Sequence, residues 1–421
     1  MRIQPRQLTL TTAQSWARSG CWSFSSLANA LPQTTLLRIK RDANKHFMYT
    51  APRQRDGELL PDLTARSEEL EINASAFFRS LESNNSTCDY FTAPVVDIAG
   101  GALMQHAPGW ESLATTAAAA EDPRALRPWL QLWAGSENAT TQLHYDVADN
   151  TFVQLCGSKT FSLWPPSAHV AAHLFPDAHP RARKSQLALP SPDLTRHPLA
   201  ANLPPPLQIT LNPGDALTLP AFWLHHVVAT SPSISVNVFS ESNAKLAAAD
   251  ILSLELPLHP KWPEQIKRAG LLHAVVASCG GDSNAAADMI DKLLSSRYAP
   301  LRRERQSDDA AASPPPPPRR GRRRPTPPPS EEDLKRALDE HGREMTAATE
   351  RLGHAARHAA AAYEERWRDE TTGSVSEATS SDEYADAIRE LTLMHACEAW
   401  ALRLFGPAAI ESELQRLVSE L

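Results

Sequence analysis

Cysteine is scarce in this sequence. Its 421 residues hold five, Cys21, Cys88, Cys156, Cys279 and Cys397, odd in number and far apart. That excludes a disulfide scaffold and a Cys-x-x-Cys zinc module, and it points to a reducing compartment. Long apolar runs are missing too. The longest candidate, Leu271 to Ser278, contains His273 and falls far short of the ~18–20 residues of a membrane span. No membrane partner is therefore expected, and no signal peptide is visible. Excess positive charge is absent: 42 Lys+Arg stand against 49 Asp+Glu, a formal net charge of −7, so any nucleic-acid surface must be local. Acidic residues are absent before Asp42, whereas Arg2, Arg6, Arg18, Arg38, Lys40 and Arg41 precede it. Such a stretch reads as the leading strand and helix of a domain, with an organellar transit peptide as the alternative.

What is present organises the chain. Its length suggests two to three domains. Hydrophobic residues at 42% and charged residues at 22% suit a globular protein with a sizeable core. Residues 1–130 mix strand and helix signals, such as the alternating Leu36–Lys40 and a short helix over Asn73–Leu81 with Phe77, Phe78 and Leu81 on one side. From 131 to 244 short β-rich runs recur: Leu130–Trp133, Thr151–Leu155, Thr160–Trp164, Leu207–Leu211, Ala216–Leu219 and Ile234–Phe239. Gly157-Ser158, Pro165-Pro166, Asn212-Pro-Gly-Asp215 and Ser231-Pro232 punctuate them as turns. The pattern predicts a mostly β fold with flanking helices, an antiparallel barrel or jelly roll. Residues 245–300 turn helical. Residues 301–329 carry Pro314–Pro318 and Arg319–Arg324 and read as a disordered, solvated linker. Ser330 offers an N-cap with Glu331, Glu332 and Asp333 behind it, opening a helical C-terminal region, 330–421, with stretches at about 331–369 and 380–420.

Three segments carry chemistry. The first is Thr140-Thr-Gln-Leu-His-Tyr-Asp146, on to Asn150. On a strand, His144 and Asp146 project to one face and could chelate one metal. A lone His-x-Asp is mostly an ordinary polar pair. The second segment is Gly157-Ser-Lys159, and the third is Pro213-Gly-Asp215 followed by Pro220 and Trp223-Leu-His-His226. His225 or His226 would complete two histidines and a carboxylate, a facial triad that leaves positions open on iron. Lys159, if buried, needs a carboxylate partner; otherwise it is an exposed strand lysine.

In order, Trp133, Gly135, His144-Tyr-Asp146, Asn150, Gly157, Lys159, Pro165-Pro166, Gly214-Asp215, Pro220, Trp223, His225 and Asn237 resemble the JmjC/cupin-like Fe(II)- and 2-oxoglutarate-dependent hydroxylases. The resemblance covers roughly residues 20–300. It implies a double-stranded β-helix (jelly roll), Fe(II) on His144, Asp146 and His225, and O2 with 2-oxoglutarate as co-substrates. It assigns the far carboxylate of 2-oxoglutarate to Lys159 and Thr141, with Thr140 as an alternative to Thr141. Tyr90 joins them, and Asn150 and Asn237 lie near the other end. In this reading 131–244 is the catalytic jelly roll, 1–130 packs on it, and 245–298 could form a homodimer, as against plain packing on the sheet. Leu224 and Ser240 replace frequent aromatics.

Within the family, His-Tyr-Asp-Val-x-Asp-Asn, Ser191–Leu199, Pro220-Ala-x-Trp and Val236–Phe239 look most like the tRNA wybutosine hydroxylase branch, and next like the asparaginyl hydroxylase that acts on hypoxia-inducible factor. The resemblance implies hydroxylation of a modified tRNA base, with succinate and CO2 as by-products, in the cytoplasm or nucleus. Arg181-Ala-Arg-Lys184, Arg302-Arg303 and Arg319–Arg324 would suit phosphates; the alternative is ordinary solvated charge or, in the linker, a nuclear localisation signal. The alternatives are a protein side-chain hydroxylase or demethylase and a non-catalytic jelly-roll binding module.

Overall fold

In a computed structural model the described residues are 2–43, 46–47, 67–83, 88–115, 124–302, 327–367 and 379–421. Most of the 301–329 linker, with its proline and arginine runs, lies outside them. The chain begins with β1 (Arg2–Ile3), β2 (Arg6–Leu8), α1 (Thr11–Arg18) and α2 (Phe24–Ala30). Next come β3 (Leu36–Arg41), β4 (His46–Phe47), β5 (Glu68–Asn73), α3 (Ala74–Glu82) and β6 (Asp89–Pro94). Asn73 caps α3 by accepting the Ala76 N–H, and Phe77, Phe78 and Leu81 are buried on its inner side. The first residues thus form the strand and helix of a domain.

Eight strands then pass back and forth between two sheets: β7 (Trp129–Gly135), β8 (Thr140–Tyr145), β9 (Asp149–Cys156), β10 (Lys159–Trp164), β11 (Leu207–Leu211), β12 (Ala216–Leu219), β13 (Leu224–Ala229) and β14 (Ser233–Ser240). The smaller sheet runs β11-β10-β13-β8-β4 and the larger β2-β12-β9-β14-β7-β6-β3-β5. Strands β7 to β14 make the double-stranded β-helix; the N-terminal strands extend its edges. Side chains alternate across each strand. Leu130, Leu132, Val153, Val236 and Val238 face outward into the main core. Between the sheets, Phe152, Phe161, Leu163, Leu211, Leu217 and Leu219 form a second apolar cluster. It fills one part of the barrel and leaves the rest as a cavity.

Turn chemistry sets the strand ends. Asp215 closes the Asn212–Asp215 turn by accepting the Asn212 N–H at 2.8 Å, with Gly214 at φ 95°. Gly157 joins β9 to β10 at φ 66°, and a Cβ there would lie 2.0 Å from the Pro232 carbonyl oxygen. Gly157→Ala is expected to destabilise the protein by more than the roughly 1–3 kcal/mol of a strained backbone alone. Chemical denaturation checks it; an unchanged midpoint would contradict the geometry.

Helices α4 (Asn243–Ser253), α5 (Glu264–Ser278) and α6 (Ser283–Leu293) follow the barrel. After the linker come α7 (Glu331–Trp367), β15 (Thr379–Ser380), α8 (Ser381–Phe405) and α9 (Ile410–Glu420). The Ser330 hydroxyl accepts the Asp333 N–H and caps α7. The expected helix over 380–420 is two helices, because Gly406 takes φ 80° and Pro407 follows. Both α4 and α5 pack against α7 and α8 of the same chain. Among the described residues, no helix is long and apolar enough to cross a membrane, and none of the five cysteines forms a disulfide.

Candidate metal centre and adjoining cavity

Pairing between β8 and β13 sets His144 directly opposite His225. Their ring centroids are 4.1 Å apart. Asp146 lies just past the end of β8, where its carbonyl accepts the Phe222 N–H at 2.7 Å. Its Oδ2 is 3.7 Å from His225 Nε2. One ligand atom from each of His144, Asp146 and His225 lies within 4.8 Å of the others. Each histidine engages a backbone carbonyl two residues upstream through Nδ1, His144 with Gln142 (2.7 Å) and His225 with Trp223 (3.0 Å). With Nδ1 as donor, each Nε2 keeps a free lone pair, which is how protein-bound metals take imidazole.

Electrostatics favours the same state. Burial, then the neighbouring His225, pushes His144 down to about 3. Burial would raise Asp146, but His144, His225, Arg183 and Lys184 together hold it below its ordinary value. At neutral pH the trio therefore offers a neutral His144 and an ionised carboxylate, the forms that bind a divalent transition metal. The donor set fits iron.

A cavity of about 330 Å³ opens from these ligands into the barrel. Across it is Lys159, 4% exposed, at the start of β10. Its Nζ donates to Ser235 Oγ at 2.7 Å and lies 5.3 Å from the Phe152 ring. Burial alone pushes it down to about 7, and no carboxylate among the described residues pairs with it. Thr141 also lines the cavity and shares a 3.1 Å hydrogen bond with the Tyr90 hydroxyl. Strict alternation would put Thr141 and His144 on opposite faces. A register shift in the β8–β13 pairing places three residue steps of β8 against two of β13 and resets the parity. Thr140 instead hydrogen-bonds the Asn138 carbonyl.

Asn150 lines the cavity, whereas Asn237 stands behind it, donating to Asn150 Oδ1 at 2.8 Å and accepting from Trp133 Nε1. Leu224 and Ser240 are buried packing positions; Ser240 Oγ accepts the Thr115 N–H. Sequence reasoning missed Trp129 and Phe239, which stack at 4.9 Å on the cavity wall. Counting back by twos from Trp133 would have found Trp129. It also missed that Arg183 and Lys184 reach the cavity, since a bridge between Lys184 and His144 brings a distant loop there. Tyr90→Phe is expected to raise the KM for a bound dicarboxylate by roughly 10–150-fold, the worth of one hydrogen bond to a charged group at about 1.5–3 kcal/mol. Steady-state kinetics checks this; an unchanged KM would mean that the Tyr90 hydroxyl does not reach the carboxylate.

Comparison with known proteins follows the same lines. The profile of the Cupin-like domain matches residues 24–245. Lysine-specific demethylase JMJ31 of Arabidopsis thaliana is 33% identical over 115 residues, 27% of this chain and 21% of that protein. The tRNA wybutosine-synthesizing protein 5 of Mus musculus is 34% identical over 116 residues, 28% of this chain and 32% of that protein. Jumonji C domain-containing protein 5 of Drosophila melanogaster is 31% identical over 113 residues, 27% of each chain. The matched stretch spans a fifth to a third of these relatives' own length.

Proposed function

The chain belongs to the cupin-like JmjC domain family, and on that premise we propose that it is an Fe(II)- and 2-oxoglutarate-dependent dioxygenase that hydroxylates a C–H bond of a modified tRNA base. One observation carries the reading: a two-histidine, one-carboxylate set and a buried lysine without a counter-charge face each other across one cavity. Iron held there supplies, with O2 and 2-oxoglutarate, the oxidising power for the C–H bond, and the oxoacid leaves as succinate and CO2. The chain's own residues do the rest. His144, Asp146 and His225 fix the metal on one face. Lys159 pairs with the far carboxylate of 2-oxoglutarate, and Thr141 and Tyr90 hydrogen-bond it. Phe152, Trp133 and Phe239 keep water out of the cavity.

Positive charge beside the cavity favours an RNA substrate. Arg183 and Lys184 line the cavity, and Lys40 and the buried Arg181 lie close enough for their charges to reach Lys184. Burial first, then Arg183, pushes Lys184 down to about 8. Such a cluster suits a phosphate backbone. Four relatives named as tRNA wybutosine-synthesizing protein 5 support this choice. The named demethylase supports a second reading, oxidation of a protein side chain. The tRNA reading puts the protein in the cytoplasm or nucleus. A homodimer through 245–298 would use faces that α7 and α8 leave open.

The test is succinate formation from 2-oxoglutarate with Fe(II) in air, with bulk tRNA, with a protein extract, and with neither. Stimulation by tRNA that His225→Ala abolishes is expected. Stimulation only by protein would move the assignment to a protein hydroxylase or demethylase. Absence of both turnover and bound metal would leave a binding module.

A further inference from the structure

A second chamber, about 480 Å³, shares Arg183 with the metal cavity and is lined in part by helix α8. We propose that it is a nucleotide subsite, which seats a nucleoside monophosphate unit of the substrate strand next to the unit that reacts. The proposal rests on the RNA reading above.

Strand alternation fixes where the chamber lies. His144 and Asp146 face the metal cavity, so Tyr145 and Val147 face the other way and wall the chamber. Arg183 lines both spaces. A strand passing from one to the other would run under its guanidinium, which no carboxylate among the described residues engages by a hydrogen bond or ion pair. Lys245 also lines the chamber, 26% exposed in its side chain and held by Glu241 at 2.8 Å. Two cations flanking one chamber suit a phosphate.

The interior suits a base. Phe222 packs on Tyr145 with ring centroids 5.8 Å apart and gives, with Leu252, an apolar wall. A polar end faces it. His395 of α8 sits 3.3 Å from Asp177 through Nδ1 and 3.4 Å from the Tyr145 hydroxyl through Nε2. Donors and acceptors at one end of an apolar slot are what a base edge needs. The volume is within the usual ~300–1,000 Å³ of small-molecule sites. Three of the lining residues, Leu391, Thr392 and His395, belong to α8, beyond the matched family domain. The subsite thus draws on residues outside that domain, and it gives helix α8 a part in substrate choice.

Ala249 is exposed and faces the chamber from α4, one helical turn from Lys245. Ala249→Trp fills the rim without touching the core. Binding of bulk tRNA to the full chain is measured at physiological salt, with guanosine 5′-monophosphate as competitor. The variant is expected to weaken tRNA binding about tenfold, the effect of losing one seated base. The nucleotide should compete with tRNA on the wild type and fail to on the variant. Mn(II) binding and substrate-free turnover of 2-oxoglutarate should not change. An unchanged tRNA affinity in the folded variant overturns the proposal. So does displacement by poly-glutamate with none by the nucleotide, which would indicate an acidic peptide. Nucleotide binding without tRNA-stimulated succinate would instead overturn the enzymatic reading and leave the chamber standing.

Discussion

Replacing His225 with alanine is expected to lower metal affinity by more than ~100-fold, since losing even an outer hydrogen-bonding partner of a ligand typically costs about 10–100-fold. His225 sits opposite His144 and is 5% exposed. Its Nδ1 is committed to the Trp223 carbonyl, so its Nε2 is aimed into the cavity before any metal arrives. Alanine leaves His144 and Asp146 as a pair that closes only one chelate ring. His226 is the internal control. It follows His225 on β13, so strand alternation turns it to the other face, opposite Ser162 of β10. His226→Gln is expected to leave metal binding unchanged. Mn(II) titration followed by electron paramagnetic resonance gives both numbers, and denaturation curves report whether each variant is folded. A folded His225→Ala protein that keeps its metal would sink the triad, and so would loss of metal in His226→Gln alone.

The strands between 130 and 240 were legible because both faces of each are occupied. Outward Val and Leu alternate with inward polar or aromatic residues, and Gly-Ser, Pro-Pro and Pro-Gly-Asp pairs mark the turns. The three residues whose ligand atoms converge could also be named, since His-x-Asp on a strand and a following Trp-x-His are local patterns. What stayed hidden was non-local. The choice between Thr140 and Thr141 depends on one extra residue in β8, visible only against its partner β13. Arg183 and Lys184 lie 39 and 40 residues after His144 and reach it through a loop that the sequence alone cannot route. The break at Gly406-Pro407 is a local helix stop, a glycine at positive φ followed by proline, and separates α8 from α9. The covering of α4 and α5 by α7 and α8 depends on pairing across the linker, which no local pattern encodes.

Lys159→Met should separate folding from function in opposite directions. Methionine keeps the length of the side chain and removes the charge. Lysine at this position holds its proton to about 7 in the folded chain, against 10.5 when unfolded. The folded value is the lower one, so the unfolded chain binds more protons between about 7 and 10.5. Stability of the wild type should then rise with pH across that window, with the full cost of the buried charge present below about 7. The variant should lack this component and be the more stable protein at neutral and lower pH. Differences in denaturation midpoint between the two proteins, measured across that range, isolate it. Affinity for 2-oxoglutarate should move the other way. Truncating one partner of a buried charge pair costs about 2–5 kcal/mol, or roughly 30-fold to several thousand-fold in Kd. Because the free protein loses the Lys159 proton near neutrality, 2-oxoglutarate binding should draw a proton from solution above about pH 7 and weaken as pH rises; in the variant that dependence should vanish. Calorimetry in buffers of different ionisation heat reads the proton uptake directly. A variant that binds 2-oxoglutarate as the wild type does would mean that the far carboxylate is held elsewhere, and the cavity assignment would fall with it.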